Sequence, residues 1–137
     1  MKKREHVSKI MTSNPITVNT TNKVSEVARI FAERSIHHIP VVSGEELIGM
    51  ISKTDIDKVS FVTNLQDDKA NTAVYDNLKI EQVMTSQLDT VQADDEIREA
   101  ATLLASGRYH AIPVLEGKKL EGIVTSTDVI NYLLEQY

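Results

Sequence analysis

Displaced by 73 positions, the chain lies on itself: residues 7–56 align with residues 80–129 without a gap. Of those 50 pairs 17 are identical, where roughly three are expected from ordinary composition. The identities cluster. Met11-Thr12-Ser13 recurs as Met84-Thr85-Ser86, and Thr17-Val18 as Thr90-Val91. His37-x-Ile39-Pro40-Val41 recurs as His110-x-Ile112-Pro113-Val114, Leu47-x-Gly49 as Leu120-x-Gly122, and Thr54-Asp55 as Thr127-Asp128. Many other pairs are apolar swaps, such as Val24/Ile97 and Ile51/Val124. The chain is an internal duplication. A copy of this size buries too little surface to be comfortable alone. The two copies are therefore expected to pack about a pseudo-twofold axis and share one core.

Each copy reads in the same order. Thr17-Val18 is a short strand, followed by a polar stretch and a helix. Val24, Val27, Ala28 and Phe31 fall at helical spacing, and Ile97, Ala100, Ala101 and Leu104 repeat the stripe. Gly107 reads as a helix stop. Ile36 to Val42 is a strand in which Pro40 marks an edge or a bulge. Ser43-Gly44-Glu45-Glu46 and Glu116-Gly117-Lys118-Lys119 are turns, and Leu47 to Ile51 is the next strand. A second helix begins near Asp55, with a counterpart from Asp128 through Leu134. Strand–helix–strand–strand–helix, twice, is an α/β fold of the α+β kind, with small mixed sheets and helices. The boundaries drawn are 7–62 for the first unit, 63–79 for a connector and 80–134 for the second. Val59, Phe61, Val62 and Leu65 extend the helix after Asp55 by about two turns, and Gln66 to Asn77 reads as a polar surface loop.

Composition narrows the function. The 137 residues are 41% hydrophobic and 26% charged, as in a globular protein, and contain no cysteine. No apolar run is long enough to span a bilayer, and no apolar signal core follows Lys2-Lys3-Arg4. A cytoplasmic protein is expected, with that basic cluster a frayed terminus. A net charge of −5 argues against a nucleic-acid backbone as partner. His37-His38 does not make a metal site, because strand neighbours point to opposite faces and no further ligands stand nearby. Asp67-Asp68 and Asp94-Asp95 read as solvated or capping carboxylates, and no phosphate-loop, zinc-protease or nucleophile-elbow motif occurs. No catalysis is expected.

The informative residues lie where the last strand of each copy enters its helix. Gly49-Met50-Ile51-Ser52-Lys53-Thr54-Asp55 and Gly122-Ile123-Val124-Thr125-Ser126-Thr127-Asp128 both fit Gly-x-x-[Ser/Thr]-x-[Ser/Thr]-Asp. Two readings stand. A Ser or Thr three residues before an acid is a capping box. The same carboxylate beside a helix N-terminus can instead accept hydrogen bonds from both hydroxyls of a ribose, with nearby hydroxyls and N–H groups meeting phosphate. Capping alone does not call for two hydroxyls before one Asp in both copies.

Met11-Thr12, the strand His37-His38-Ile39-Pro40-Val41-Val42, and Gly49-x-x-Ser52-x-Thr54-Asp55 together resemble the cystathionine beta-synthase (CBS) domain. Two in tandem, over about residues 7–62 and 80–134, look like a Bateman module. The resemblance implies a cleft between two CBS units with two pseudo-symmetric sites for adenosine derivatives: AMP, ADP, ATP or S-adenosylmethionine. It puts Asp55 and Asp128 on the ribose, with Ser52, Thr54, Thr125 and Thr127 as hydroxyl neighbours. It groups Thr12, Ile16 and Ile36 with Thr125, Thr127 and Asp128, and Thr85, Asp89 and Tyr109 with Ser52, Thr54 and Asp55. His37 and His110 align with a phosphate-contacting position, and Arg108 stands beside them. The chain departs from the family pattern in its second copy, where Gln87-Leu88-Asp89 replaces Asn14-Pro15-Ile16. That acid can accept from an adenine amino group or repel a phosphorylated ligand.

The expectation is a regulatory module that needs no cofactor, binds an adenosine-type ligand, and signals occupancy to a protein partner or within a homodimer. The helices after Asp55 and Asp128 would be its contact surface. The alternative is a ligand-free oligomerisation module whose Asp residues only cap helices.

Overall fold

The computed structural model describes residues 4–60 and 76–137. Its elements are β1 (Thr12–Ser13), α1 (Val24–Glu33), β2 (His38–Ser43), β3 (Glu46–Ser52), α2 (Lys53–Ser60), α3 (Ile80–Val83), β4 (Val91–Gln92), α4 (Ile97–Ala105), β5 (Ala111–Glu116), β6 (Lys119–Thr125) and α5 (Ser126–Glu135), with a 3-10 turn over Val7–Lys9. This is a mixed α/β protein. Phe61, Val62, Leu65 and Asp67-Asp68, like Lys2 and Lys3, lie outside the described residues.

The packing does not follow the duplication boundary. Residues 4–15 join 88–137 in one compact unit, and residues 16–60 join 76–87 in the other. We call these the C-terminal and N-terminal units. Each repeat gives its opening segment to the unit built on the other repeat. The equivalent residues Val7 and Ile80 make the exchange plain, since both have 0% exposure and each belongs to the core of the opposite repeat. The expected single shared core is therefore corrected to two. One holds Val24, Val27, Phe31, Ile39, Val41, Ile51 and Ile80, the other Val7, Ala100, Leu104, Ile112, Val114, Val124 and Val129. A strand pair and two helices leave one flank of their apolar surface uncovered, and the exchanged segment covers it.

Within each unit the strands follow one order. In the N-terminal unit Val18 bridges Val41 in parallel, β2 pairs antiparallel with β3, and Met50 of β3 bridges Thr85. In the C-terminal unit β4 pairs parallel with β5, β5 antiparallel with β6, and β6 with β1 through Thr12↔Ile123 and Ser13↔Gly122. Each hairpin turns on a glycine at positive φ, Gly44 at 62° and Gly117 at 64°, which a side chain would strain.

Several boundaries move. Strand β2 begins at His38, so Ile36 and His37 precede it. Pro40 sits inside the strand opposite Met50, and the bulge falls one residue later, between Val41 and Val42. Pro40 costs no hydrogen bond to β3. Its carbonyl accepts from the Val18 N–H at 3.1 Å, so its nitrogen also faces the Val18 side, one step before that bridge. Helices α2 and α5 start two residues ahead of Asp55 and Asp128, because the preceding hydroxyl residue is the cap. Gly107, at φ 80°, follows α4 as its stop.

Candidate functional site

The two strand–helix junctions have one geometry. In the N-terminal unit the Ser52 N–H donates to Asp55 Oδ2 at 2.9 Å, and the Asp55 N–H donates to Ser52 Oγ at 3.1 Å. In the C-terminal unit the Thr125 N–H donates to Asp128 Oδ2 at 2.9 Å, and the Asp128 N–H to Thr125 Oγ1 at 3.1 Å. Both are reciprocal capping boxes. The next residue ties each helix start to the strand before it: the Lys53 N–H donates to the His37 carbonyl at 2.8 Å, and the Ser126 N–H to that of His110 at 3.2 Å. The His37 and His110 side chains are exposed.

The caps use only part of each carboxylate. Oδ2 serves the backbone, while Oδ1 of Asp55 and of Asp128 accepts no hydrogen bond among the described residues. Both carboxylates are half-buried beside a helix N-terminus, and Thr54 and Thr127 one residue before them are exposed. Such a junction offers an anionic acceptor, hydroxyls and the positive end of a helix dipole within one turn.

Each junction has a strand-forming segment of the other repeat in its unit. Thr12 pairs along β6 two residues before Thr125. Thr85 exchanges both backbone hydrogen bonds with Met50, at 2.9 and 2.8 Å, two residues before Ser52. Gly49 and Gly122 permit this approach. A Cβ on Gly122 would stand 2.6 Å from the Thr12 carbonyl oxygen and 2.8 Å from Met11 Sδ, and one on Gly49 would overlap Met84 Sδ and reach 3.1 Å from the Thr85 oxygen. Sequence reasoning did not single out these two glycine–methionine pairs, although both recur at the 73-residue displacement.

The structure thus gathers Thr12, Thr125, Thr127 and Asp128 in the C-terminal unit and Thr85, Ser52, Thr54 and Asp55 in the N-terminal unit. Ile16, Ile36 and His37 belong to the N-terminal unit, and Asp89, Arg108, Tyr109 and His110 to the C-terminal one. Ile36 is half-buried and packs against its unit's core. Asp89 does something the sequence did not suggest: its carboxylate accepts the Tyr109 hydroxyl at 2.5 Å, and the Arg108 guanidinium lies 5.6 Å over the Tyr109 ring. The hydrogen bond to Asp89, then burial, raises the Tyr109 phenol above its ordinary pKa. No group of three or more His, Cys, Asp or Glu side chains is gathered in a metal-holding arrangement among the described residues.

Against known families, residues 7–61 and 80–135 each match the CBS domain. The chain belongs to the CBS domain family. A homoserine O-acetyltransferase of Methanohalobium evestigatum is 31% identical over 134 residues, covering 96% of this chain and 24% of that protein. An uncharacterized protein of Methanocaldococcus jannaschii is 29% identical, covering 94% of this chain and 32% of its own length. The chain spans about a third or less of both relatives. Among solved structures, the CBS domain pair of protein MJ0100, in complex with 5′-methylthioadenosine and S-adenosyl-L-methionine, superposes with a TM-score of 0.79 at 25% identity, covering 98% of this chain and 100% of that one. CBSX2 in complex with AMP gives a TM-score of 0.79 at 24% identity, covering 96% and 97%. No helix among the described residues is long and apolar enough to cross a membrane.

Proposed function

We propose that this CBS pair is a ligand-sensing regulatory module for adenosine derivatives, in which Asp55 and Asp128 hold the ribose hydroxyls. The observation that carries this reading is the half-used carboxylate at both junctions. Each Asp completes its cap through Oδ2 and keeps Oδ1 for a ligand, so capping and binding are compatible roles of one side chain. The relatives' ligands support the class: AMP, 5′-methylthioadenosine and S-adenosylmethionine share an adenosine whose ribose carries two hydroxyls. Thr12, Thr125 and Thr127 serve the ligand at Asp128, and Ser52, Thr54 and Thr85 at Asp55. Ile16 and Ile36 contribute apolar surface to the base, Asp89 and Tyr109 polar surface, and His37, His110 and Arg108 meet phosphate. The module does no chemistry on the ligand. It acts by differential affinity for two arrangements of itself or of a partner.

Thermal unfolding with AMP, ADP, ATP, S-adenosylmethionine and 5′-methylthioadenosine tests this. A ligand at 100 times its Kd stabilises by about 2.7 kcal/mol. Asp→Asn is the informative substitution, since the amide oxygen keeps the cap while the amide nitrogen cannot accept from a hydroxyl. We expect Asp128→Asn to reduce the shift and D55N with D128N to abolish it. An undiminished shift in the double variant overturns the assignment.

One observation favours a second role, self-association. Helix α5 exposes Ile130 (56%), Leu133 (41%) and Leu134 (66%), an apolar stripe of the kind that marks interfaces. A homodimer through this helix predicts that Ile130→Asp with Leu134→Asp halves the mass measured by sedimentation equilibrium.

A further inference from the structure

We propose that Met11 and Met84 form a paired methionine-oxidation switch that releases the exchanged segments. Each thioether lies on the bare backbone of a strand glycine, Met11 on Gly122 and Met84 on Gly49, in space that one added methyl would overfill. Each is also half-buried and packs at the margin of its unit's core. That combination, a partly exposed side chain whose sulfur has no spare volume on its glycine side, is what an oxidation-sensitive contact requires. Met50, at 6% exposure, is the buried internal control.

The step is a two-electron oxygen transfer. A sulfur lone pair attacks the outer oxygen of a hydroperoxide, the O–O bond breaks, and water or an alcohol leaves. The thioether becomes a sulfoxide, and the peroxide is reduced. The sulfoxide is bulkier and far more polar than the thioether, and the tight seat on Gly49 or Gly122 leaves no volume in which it can readjust, so the side chain turns outward toward water. The neighbouring residues are Thr12 and Thr85, so oxidation loosens the strand pairing that each makes. If the proposed nucleoside sites are correct, on which this last step rests, oxidation also lowers ligand affinity at both.

The test is graded treatment of the intact chain with hydrogen peroxide, followed by peptide mass spectrometry and amide hydrogen exchange. We expect Met11 and Met84 to gain oxygen before Met50 does, and the Thr85 amide, bonded to the Met50 carbonyl at 2.8 Å, to exchange roughly tenfold faster, as local opening of that contact requires. Methionine sulfoxide reductase should restore slow exchange in the same sample, a reading that needs no variant to fold. Met11→Leu with Met84→Leu should keep slow exchange under peroxide. Sulfoxide at both positions with unchanged Thr85 exchange overturns the switch, as does oxidation of Met50 first. Because exchange is read without ligand, a protein that binds no nucleoside would sink the proposed function and leave this result standing.

Discussion

The two units are built to one plan from one repeat, and they differ in a consistent way. What packs or caps is held in common: Val7 and Ile80 at 0% exposure, the glycines under Met11 and Met84, and the reciprocal caps at Asp55 and Asp128. What lies at the margins of the cores and beyond has diverged. Ile16 corresponds to Asp89, Ile36 to Tyr109 and Lys53 to Ser126, so the C-terminal unit carries a hydrogen-bonded Asp–Tyr pair where the N-terminal unit is aliphatic. The anchoring of the exchanged segments differs too. Leu78 packs against the N-terminal unit's core, whereas its counterpart Glu5 takes an ion pair from Lys9 at 2.9 Å and raises the pKa of the buried Tyr132 phenol. Duplication preserved the close-packed skeleton, where a misfit costs most, and left the margins and the anchoring free to change.

The largest test of that comparison is at its shared core. Ile80→Ala should cost about 2–5 kcal/mol, with Val7→Ala toward the lower end because it removes one carbon fewer. Urea denaturation followed by amide exchange should show Ile80→Ala opening residues 16–60 first and Val7→Ala opening residues 88–137 first. Were each substitution to weaken the unit of its own repeat instead, the exchange of segments would be wrong.

A smaller effect sharpens the comparison at the glycines. Gly122→Ala places its methyl 2.6 Å from a backbone oxygen, which cannot move without shifting β1. Gly49→Ala meets chiefly the flexible end of Met84, with the Thr85 oxygen at a milder 3.1 Å. Overpacking of this kind costs about 1–3 kcal/mol, so Gly122→Ala belongs at the upper end and Gly49→Ala at the lower. Equal midpoints in chemical denaturation would mean that β1 is as yielding as a methionine side chain.

Much of this was legible in the sequence, for identifiable reasons. The repeat announced itself because packing constrains apolar residues at fixed spacing, and the stripes Val24-Val27-Phe31 and Ile97-Ala100-Leu104 are the faces buried in the structure. The capping boxes were readable because a cap is local, spanning three residues. The expectation of one shared core failed because which segment covers which flank is a long-range choice that periodicity does not encode. The Asp89–Tyr109 pair was not legible for the same reason: the two stand 20 residues apart, and only the fold brings the hydroxyl to the carboxylate. Pro40 marked a strand irregularity correctly but not its position, because the missing N–H falls on the side toward Val18.

The smallest expected effect isolates the pairing of Glu5 with Tyr132, whose counterparts in the other repeat are Leu78 and Val59. The hydrogen bond to Glu5, then burial and the Glu5 charge, raise the Tyr132 phenol above its ordinary value, which is about 10. A raised pKa in the folded state means that folded protein holds this proton more tightly than unfolded chain does. The contribution is therefore fully present below the unfolded pKa and is lost as pH rises through the folded one. Tyr132→Phe should lower stability modestly at neutral pH and flatten the decline on the alkaline side of the ordinary tyrosine range, where the wild-type phenol loses its proton. Glu5→Gln keeps an acceptor but removes the charge, so it should bring the Tyr132 titration, followed by phenolate absorbance, back toward the ordinary range. Were Tyr132 to titrate unchanged in that variant, burial alone would account for its shift, and the two exchanged segments would be held by apolar packing in both units after all.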